Sequence, residues 1–385
     1  MKQRCAVLGI GQTHHAAKRG DLSMSGLVRE AALRALEDAG MTFDEIDAVV
    51  MGKAPDFFEG VMTPELYLAD ALGAAGKPVF RVHTAGSVGG STAIYAAHLI
   101  TSGIHKRVLT IAWEKQSESN AMWALSPKYP FSPPTTAGAG GYFAPFVRAY
   151  IEFTGAPEHI GWQVAYKDRI HALKNPYAHL QMPDITIDMV KNSPVLWDPI
   201  RYLETCPSSD GAGAMILVSE DVAEASGKKV AWVHGTANRT EAILYPRRNQ
   251  VLPRAGSDCA KALYKEAGIT DPKREIDTAE IYVPFAWFEP MWLENIGLAD
   301  ANDGWKMVDA GDTMLGGRQP INPSGGVLSS NPIGASGMLR FLEAAHQVRG
   351  TAGEHQVEGA KKALGHAYGG GSQYFAMWIV GAEKP

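Results

Sequence analysis

The chain has 385 residues, 45% of them hydrophobic and 20% charged, with a formal net charge of −5 at pH 7. These values are typical of a folded protein with a large core and two or three domains, and they exclude an overall basic surface for nucleic acid. No apolar run approaches the roughly 20 residues of a membrane span. The cysteines Cys5, Cys206 and Cys259 lie far apart and form neither a C-x-x-C pair nor a metal-ligand cluster. Because a strand pattern follows Met1 directly, without a signal-peptide layout, we expect a reduced, cytoplasmic protein without a metal site.

The first half of the chain alternates strands with helices. Its first predicted elements are a buried strand over residues 4–11, a helix over residues 25–39 that ends at Gly40, and a strand over residues 48–51. Alternation of this kind is typical of parallel or mixed sheets whose two faces are covered by helices.

A glycine-rich turn around Ser87 is the first feature with a chemical implication. An extended run over residues 78–82 enters the turn, and a helix over about residues 90–102 leaves it. Such an elbow holds one side chain at a helix N-terminus, whose N–H groups and dipole stabilise negative charge. Its glycines at 86, 89 and 90 predict that another backbone or a ligand comes close. A tight turn without chemistry is the alternative, and the motif alone does not separate the two.

The same order of elements returns in the second half. The segment "EDAGMTFDEIDAVVM" at residues 37–51 is matched by "KEAGITDPKREIDTAEIY" at residues 265–282. The elbow recurs at residues 329–337, and the helix after each elbow contains Ala-Ala-His. After these helices we predict corresponding strands at residues 108–113 and 374–380. The repeat indicates two duplicated halves, with both elbows near a shared cleft.

A segment between the halves follows neither pattern. Residues 127–134 and the glycine run at residues 138–141 are loop signals, whereas residues 143–154 and 159–173 predict helices. The predicted organisation is an N-terminal half at residues 1–113, an inserted loop domain at residues 114–210, the last strand of the N-terminal half at residues 211–222, and a C-terminal half at residues 223–385.

Five blocks carry a resemblance to a known family. They read "GSVGGSTAIYAA", "CPSSDGAGAMILVS", "EIYVPFAWFEP", "NPSGGVLSSNPIGASG" and "GHAYGGGSQ". These blocks occur in the order found in the thiolase superfamily, within two duplicated halves, and the chain therefore resembles that superfamily. The resemblance is greatest to its lipid-transfer-protein or sterol-carrier-type branch, which is related to steroid side-chain retro-aldolases. The resemblance implies an α/β fold with five αβαβα layers, built from two duplicated β/α halves with an inserted loop domain.

The residues that carry thiolase chemistry are changed in this chain. Ser87 stands where working thiolases have the nucleophilic Cys, and Asn331 stands where they have the His that activates it. The loop of the proton-shuttling Cys reads Ala367-Tyr368-Gly369-Gly370-Gly371, and the loop that holds an oxyanion donor begins with Tyr282. Because a serine nucleophile needs a base and Asn331 cannot be one, acyl transfer through Ser87 is the weaker hypothesis.

The resemblance implies a thioester-binding cleft with a different polar lining. Retro-aldolases of this branch lack the Cys and use tyrosines, so we predict retro-aldol cleavage of a 3-hydroxyacyl-CoA in lipid or steroid side-chain degradation. The reaction needs a base for the β-hydroxyl, expected to be His83 or His366, and donors for the leaving enolate, expected to be Asn331 and the Ser87 elbow. We expect His366 and its neighbour Tyr368 in the last glycine-rich loop. The predicted catalytic residues are Tyr282, Tyr368, His366, Asn331, Ser87 and His83, and the predicted coenzyme A-binding residues are Gly334, Ala335 and Ser336.

Two other functions stay open at this point. One is an acetyl-CoA acetyltransferase-type reaction through Ser87, and the other is a non-catalytic acyl-CoA-binding subunit of a heteromeric complex. Coenzyme A is expected only as part of the substrate, with no bound cofactor. The resemblance implies a homodimer or a heterodimer with a thiolase-like paralogue, and a small zinc-ribbon/OB-fold partner is compatible with it. Nucleic acid and a membrane span are not expected.

Overall fold

A computed structural model describes residues 3–54, 58–120, 138–242, 248–249 and 251–385. The predicted loop at residues 127–134 therefore lies outside the described residues. The strands are β1 (Cys5–Gln12), β2 (Ala48–Gly52), β3 (Val79–Val82), β4 (Arg107–Lys115), β5 (Val195–Trp197), β6 (Ile200–Arg201), β7 (Asp210–Ser219), β8 (Ala231–Thr240), β9 (Thr278–Glu280), β10 (Lys362–Gly369) and β11 (Tyr374–Gly381).

The α-helices of the described residues follow the expected alternation with strands. They are α1 (Met24–Ala39), α2 (Glu65–Ala71), α3 (Val88–Thr101), α4 (Gly138–Thr154), α5 (His159–Ala172), α6 (Ile187–Lys191), α7 (Glu220–Ser226), α8 (Arg254–Ala267), α9 (Pro272–Glu275), α10 (Phe288–Asn295), α11 (Gly304–Asp309), α12 (Gly326–Ser329) and α13 (Ile333–Arg349). None of them is both long and apolar enough to cross a bilayer. Helices α1 and α8 end at Gly40 and Gly268, each in the left-handed conformation that favours glycine.

Within the described part of the chain, nine strands pair in the order β3-β2-β4-β7-β1-β8-β11-β10-β9. Counted outward from the centre, the first half reads β1-β7-β4-β2-β3. The second half reads β8-β11-β10-β9, followed by a bridge between Ala279 and Ile321. The halves meet where Ala6 and Val7 of β1 pair antiparallel with β8. This matching order confirms the two duplicated β/α halves that the sequence repeat predicted.

Helices cover both faces of each half-sheet and produce five layers. Helix α1 packs against β1, β7 and β4 on one outer side, and α8 packs against β8 and β11 on the other. Helices α3 and α13 lie between the half-sheets, where α3 contacts β2, β4 and β10 and α13 contacts β4, β7 and β10. The predicted αβαβα arrangement is therefore confirmed.

The two central helices pack backbone to backbone at glycines. A Cβ atom on Gly89 would lie 2.3 Å from the amide nitrogen of Met338 and 3.0 Å from the carbonyl oxygen of Gly334. A Cβ on Gly90 would lie 2.9 Å from Cβ of Ala367. The glycines of the elbow thus admit the backbone of the second half, and the N-termini of α3 and α13 come together as a result.

One predicted loop is wrong because it is helical. The glycine run at residues 138–141 forms the first turn of α4, in the inserted segment. A Cβ on Gly140 would lie 2.3 Å from the indole of Trp197, so glycine is required there by close packing and not by a turn.

The assignment of strands after α13 is also wrong. The strand that corresponds to β4 is β10, and β11 corresponds to β7. His366 and Tyr368 therefore lie in β10, paired with Met377 and Phe375, and not in a loop. The glycine run after Tyr368 forms the β10–β11 turn.

The close contact between α3 and α13 predicts a stability effect. We expect Gly89→Ala to lower the free energy of unfolding by about 1–3 kcal/mol, as overpacking does, despite the better helix propensity of alanine. Gly20→Ala is the control, because Gly20 is exposed and a Cβ there would meet only the flexible side chain of Lys18. Urea denaturation measures both variants, and equal midpoints for the two would contradict the packing described.

Candidate active site

A cavity of about 370 Å³ lies between the elbow, the segment after β9, the N-terminus of α13 and the β10–β11 turn. Its volume is in the range of small-molecule sites. Four of the predicted catalytic residues line it, namely His83, Tyr282, Asn331 and Tyr368. Segments from both halves of the chain therefore converge on one space.

Ser87 does not line this cavity. It is 1% exposed, and its hydroxyl donates to the carbonyl oxygen of Thr84 at 2.8 Å. Its backbone N–H donates to the same carbonyl at 3.2 Å, so neither group is directed to a substrate. Ala85 and Gly86 form the wall at this point.

The residues predicted to bind coenzyme A lie in the first turn of α13, where all three are buried. A Cβ on Gly334 would lie 2.3 Å from the carbonyl oxygen of Trp113, so this position is filled by β4. Ala335 is 0% exposed, and the Ser336 hydroxyl donates to Asn331 Oδ1 at 2.7 Å. All three residues are therefore buried behind the cavity and do not line it.

Asn331 is held in one orientation by its neighbours. Its Oδ1 accepts from the hydroxyls of Ser336 at 2.7 Å and Tyr282 at 3.3 Å. Its backbone N–H donates to Ser209 Oγ at 3.1 Å. Because Oδ1 is occupied by two hydroxyl donors, Nδ2 is the group left for the cavity side, where it donates to Cys206 Sγ at 3.2 Å.

The two tyrosines meet edge to face. Their ring centroids are 5.2 Å apart, and the angle between the ring planes is 90°. The backbone of Tyr282 is held in place because its carbonyl oxygen accepts a hydrogen bond from Trp292 Nε1 at 2.9 Å. The Tyr368 hydroxyl makes no hydrogen bond to any described residue. Burial raises the pKa of both phenols, so both are protonated at neutral pH and act as donors, not bases.

The two predicted bases occupy different environments. His366 is fully buried outside the cavity, and its Nδ1 accepts from the backbone N–H of Tyr282 at 3.2 Å, which places its ring proton on Nε2. Burial lowers its pKa to about 3. His83 is exposed and is the only imidazole among the described lining residues. His83 is therefore the imidazole that lines the cavity, whereas His366 lies outside it and contacts the backbone of Tyr282.

Cys206 is a lining residue that the sequence analysis did not identify as functional. Its backbone N–H donates to the carbonyl of Pro284 at 2.9 Å, which fixes it beside the segment of Tyr282. Burial raises the pKa of its thiol to about 12. The available signal was its place at the start of the block "CPSSDGAGAMILVS". Among the described residues, no group of three or more His, Cys, Asp or Glu side chains has the geometry of a metal site.

Comparisons with known proteins agree with this architecture. A family model described as thiolase C-terminal domain-like matches residues 235–382. Human sterol carrier protein 2 is 29% identical over 98% of this chain and 72% of its own length. The solved structure of an Ltp2–ChsH2(DUF35) aldolase has a TM-score of 0.84 and 26% identity, and covers 98% of both chains. Residues 235–382 thus match a thiolase domain, and nearly the whole chain is similar to thiolases and to sterol carrier proteins.

Within the thiolase superfamily, the relatives differ in their named activity. The benzoylsuccinyl-CoA thiolase subunit BbsB of Thauera aromatica is 29% identical over 96% of this chain and 96% of its own length. Relatives named for a thiolase, a sterol carrier and an aldolase support an enzyme of this superfamily. Their names do not indicate one common reaction.

The burial of His366 predicts a pH dependence of stability. Because its folded pKa of about 3 lies below the ordinary value of 6.5, the unfolded chain binds more protons between these values. The contribution of His366 is therefore complete above pH 6.5 and is lost as the pH falls. We expect His366→Asn, which retains an acceptor for Tyr282, to reduce the fall in unfolding free energy between pH 6.5 and 5 by about 1 kcal/mol per pH unit. Urea titrations at several pH values measure the unfolding free energies of the wild type and the variant. If the two free energies fall in parallel with pH, the buried neutral state of His366 is refuted.

Proposed function

We propose that this protein is a carbon–carbon lyase that cleaves a 3-hydroxyacyl-CoA into a ketone and a shorter acyl-CoA. The observation that carries the proposal is the composition of the cavity. It holds an imidazole and protonated donors, whereas Ser87, the residue at the nucleophile position, faces its own turn. Such a set fits proton transfer and enolate stabilisation better than acyl transfer.

The reaction begins with removal of a proton from the substrate β-hydroxyl. His83 is the base, acting within about 3 Å or through one water. As the carbonyl forms, the bond between the α- and β-carbons breaks and its electron pair enters the thioester enolate. Asn331 Nδ2 holds the enolate oxygen, and it is preorganised for this because Ser336 and Tyr282 already bind the amide oxygen.

The aromatic wall supports an acyl group that is bulky and apolar. Tyr142, Phe143 and Phe285 line the cavity, and the rings of Phe143 and Phe285 lie 6.0 Å apart. A ring-shaped acyl part, as in steroid side-chain degradation, suits such a wall because large flat faces bury well against aromatic side chains. Coenzyme A takes part as the carrier of the substrate.

A second candidate is a non-catalytic acyl-CoA-binding subunit of a heteromeric complex. It is favoured by the relative BbsB, which is named as a thiolase subunit. The aldolase structure is named for Ltp2 together with ChsH2. It likewise supports a partner for this chain that is neither a second copy of the chain nor a paralogue. We propose the lyase as the main function, and assays of it should include the chain co-expressed with its genomic neighbours.

The role of His83 predicts a loss of turnover. We expect His83→Gln to lower kcat for release of the ketone and the short acyl-CoA by about 10²–10⁴-fold, the usual contribution of a general base. His98→Gln is the matched control, because His98 is an exposed histidine on α3 that does not line the cavity. Coupled detection of the two products on a steroid 3-hydroxyacyl-CoA measures both variants. Equal turnover for the two variants would remove His83 from the mechanism.

The burial of Ser87 predicts that it forms no acyl intermediate. After incubation with acetyl-CoA or a longer acyl-CoA, we expect the intact mass of the protein to be unchanged at this residue. Peptide mapping by mass spectrometry locates any adduct. An acyl group on Ser87 would favour the acetyltransferase alternative instead.

A further inference from the structure

Four residues that line the cavity carry an acidic proton, namely Tyr142, Tyr282, Tyr368 and Cys206. The hydroxyls of Tyr282 and Tyr368 and the thiol of Cys206 form an electrostatically interacting group of three. Ionisation of the thiol would raise the pKa of both phenols, because the negative charges would repel each other across a poorly hydrated space. Only one of the three groups is therefore expected to lose its proton at a time, and its surroundings decide which.

The hydrogen bonds distinguish the thiol from the phenols. Tyr282 gives its proton to Asn331 Oδ1, so its hydroxyl is already engaged as a donor. The Tyr368 hydroxyl has no hydrogen-bond partner among the described residues that would stabilise its anion. Cys206 Sγ, in contrast, accepts from Asn331 Nδ2 at 3.2 Å. A thiol also starts from a lower ordinary pKa than a phenol, about 8.5 against about 10.

A buried cation lies behind the thiol. The guanidinium of Arg169 is 1% exposed and donates to the carbonyl of Thr205, the residue before Cys206, at 3.2 Å. Its positive charge lowers the pKa of the thiol and offsets part of the effect of burial. Of the three conjugate bases, the thiolate is therefore the one that this cavity stabilises best.

We propose that Cys206 is the catalytic acid of the cavity and supplies the proton that the α-carbon of the leaving enolate takes up. This inference rests on the proposed lyase function and adds its last step. The S–H bond breaks as the new C–H bond forms on the α-carbon, and the enolate electron pair becomes that bond. The thiolate remains beside Asn331 Nδ2. The proton that His83 removed from the β-hydroxyl returns to Sγ directly or through water, so no external acid or oxidant is consumed.

The other cysteines provide an internal control. Cys206 is partly exposed at the cavity, whereas Cys5 and Cys259 are 1% and 0% exposed. Cys259 Sγ donates to the carbonyl of Ala237 at 3.2 Å, a bond that a serine hydroxyl can keep. Cys206→Ser and Cys259→Ser therefore make the same chemical change inside and outside the cavity.

The test is exchange of the α-protons of propionyl-CoA in D₂O, followed by mass spectrometry. By reversibility, the group that protonates the enolate also removes the α-proton of the product, so the wild-type protein should catalyse exchange. We expect Cys206→Ser to lower the exchange rate by about 10²-fold or more, because an alcohol is a far weaker acid than a thiol although it keeps the hydrogen bond to Asn331. Cys259→Ser should exchange like the wild type.

Failure of this proposal is distinguishable from failure of the lyase function. Cleavage of a 3-hydroxyacyl-CoA together with wild-type exchange in Cys206→Ser overturns the role of Cys206 and leaves the lyase in place. Absence of exchange in the wild type also overturns it. Exchange that depends on Cys206 in a protein that cleaves no 3-hydroxyacyl-CoA supports the acid and refutes the lyase. Urea midpoints within error of the wild type confirm that both serine variants are folded.

Discussion

The site depends on the contact between the backbones of α3 and α13. Because Gly89 has no side chain, the amide nitrogen of Met338 lies so close to its backbone that any Cβ atom would clash with it. Each half of the chain contributes one of these helices, so the contact brings the start of both to one point. The elbow of the first half and Asn331 of the second half then border the same cavity. Convergence of the site is thus a consequence of this packing contact between the two duplicated halves.

Within that space, an amide takes the position where the resemblance places an imidazole. An imidazole accepts and releases a proton near neutral pH, whereas the Asn331 amide only donates and accepts hydrogen bonds. Its oxygen is occupied by Ser336 and Tyr282, and its nitrogen is directed to Cys206. In the proposed mechanism, the amide therefore stabilises an anion and does not activate a nucleophile.

The fold was predictable because the repeat preserves the order of elements, and strand-helix alternation has few packing solutions. The convergence of Tyr282 and Asn331 followed from the same symmetry. Burial was not predictable, because it depends on partners distant in sequence: His366 is placed by the backbone N–H of Tyr282, 84 residues away. Cys206 was missed for a similar reason, since contacts with segments distant in sequence, such as its bond to Pro284, bring it to the cavity. Glycines that serve a turn and glycines that serve close packing look alike in a sequence, which led to the wrong loop at residues 138–141.

The central claim is that a thioester-binding cavity persists without the sulfur nucleophile at the elbow. The most direct test is a crystal structure of the protein with a 3-hydroxyacyl-CoA analogue in which a methylene replaces the thioester sulfur. We predict that the analogue carbonyl lies within hydrogen-bond distance of Asn331 Nδ2, with its β-hydroxyl facing His83 and its acyl group against Phe143. An analogue bound elsewhere on the protein, with the cavity empty, would contradict the account.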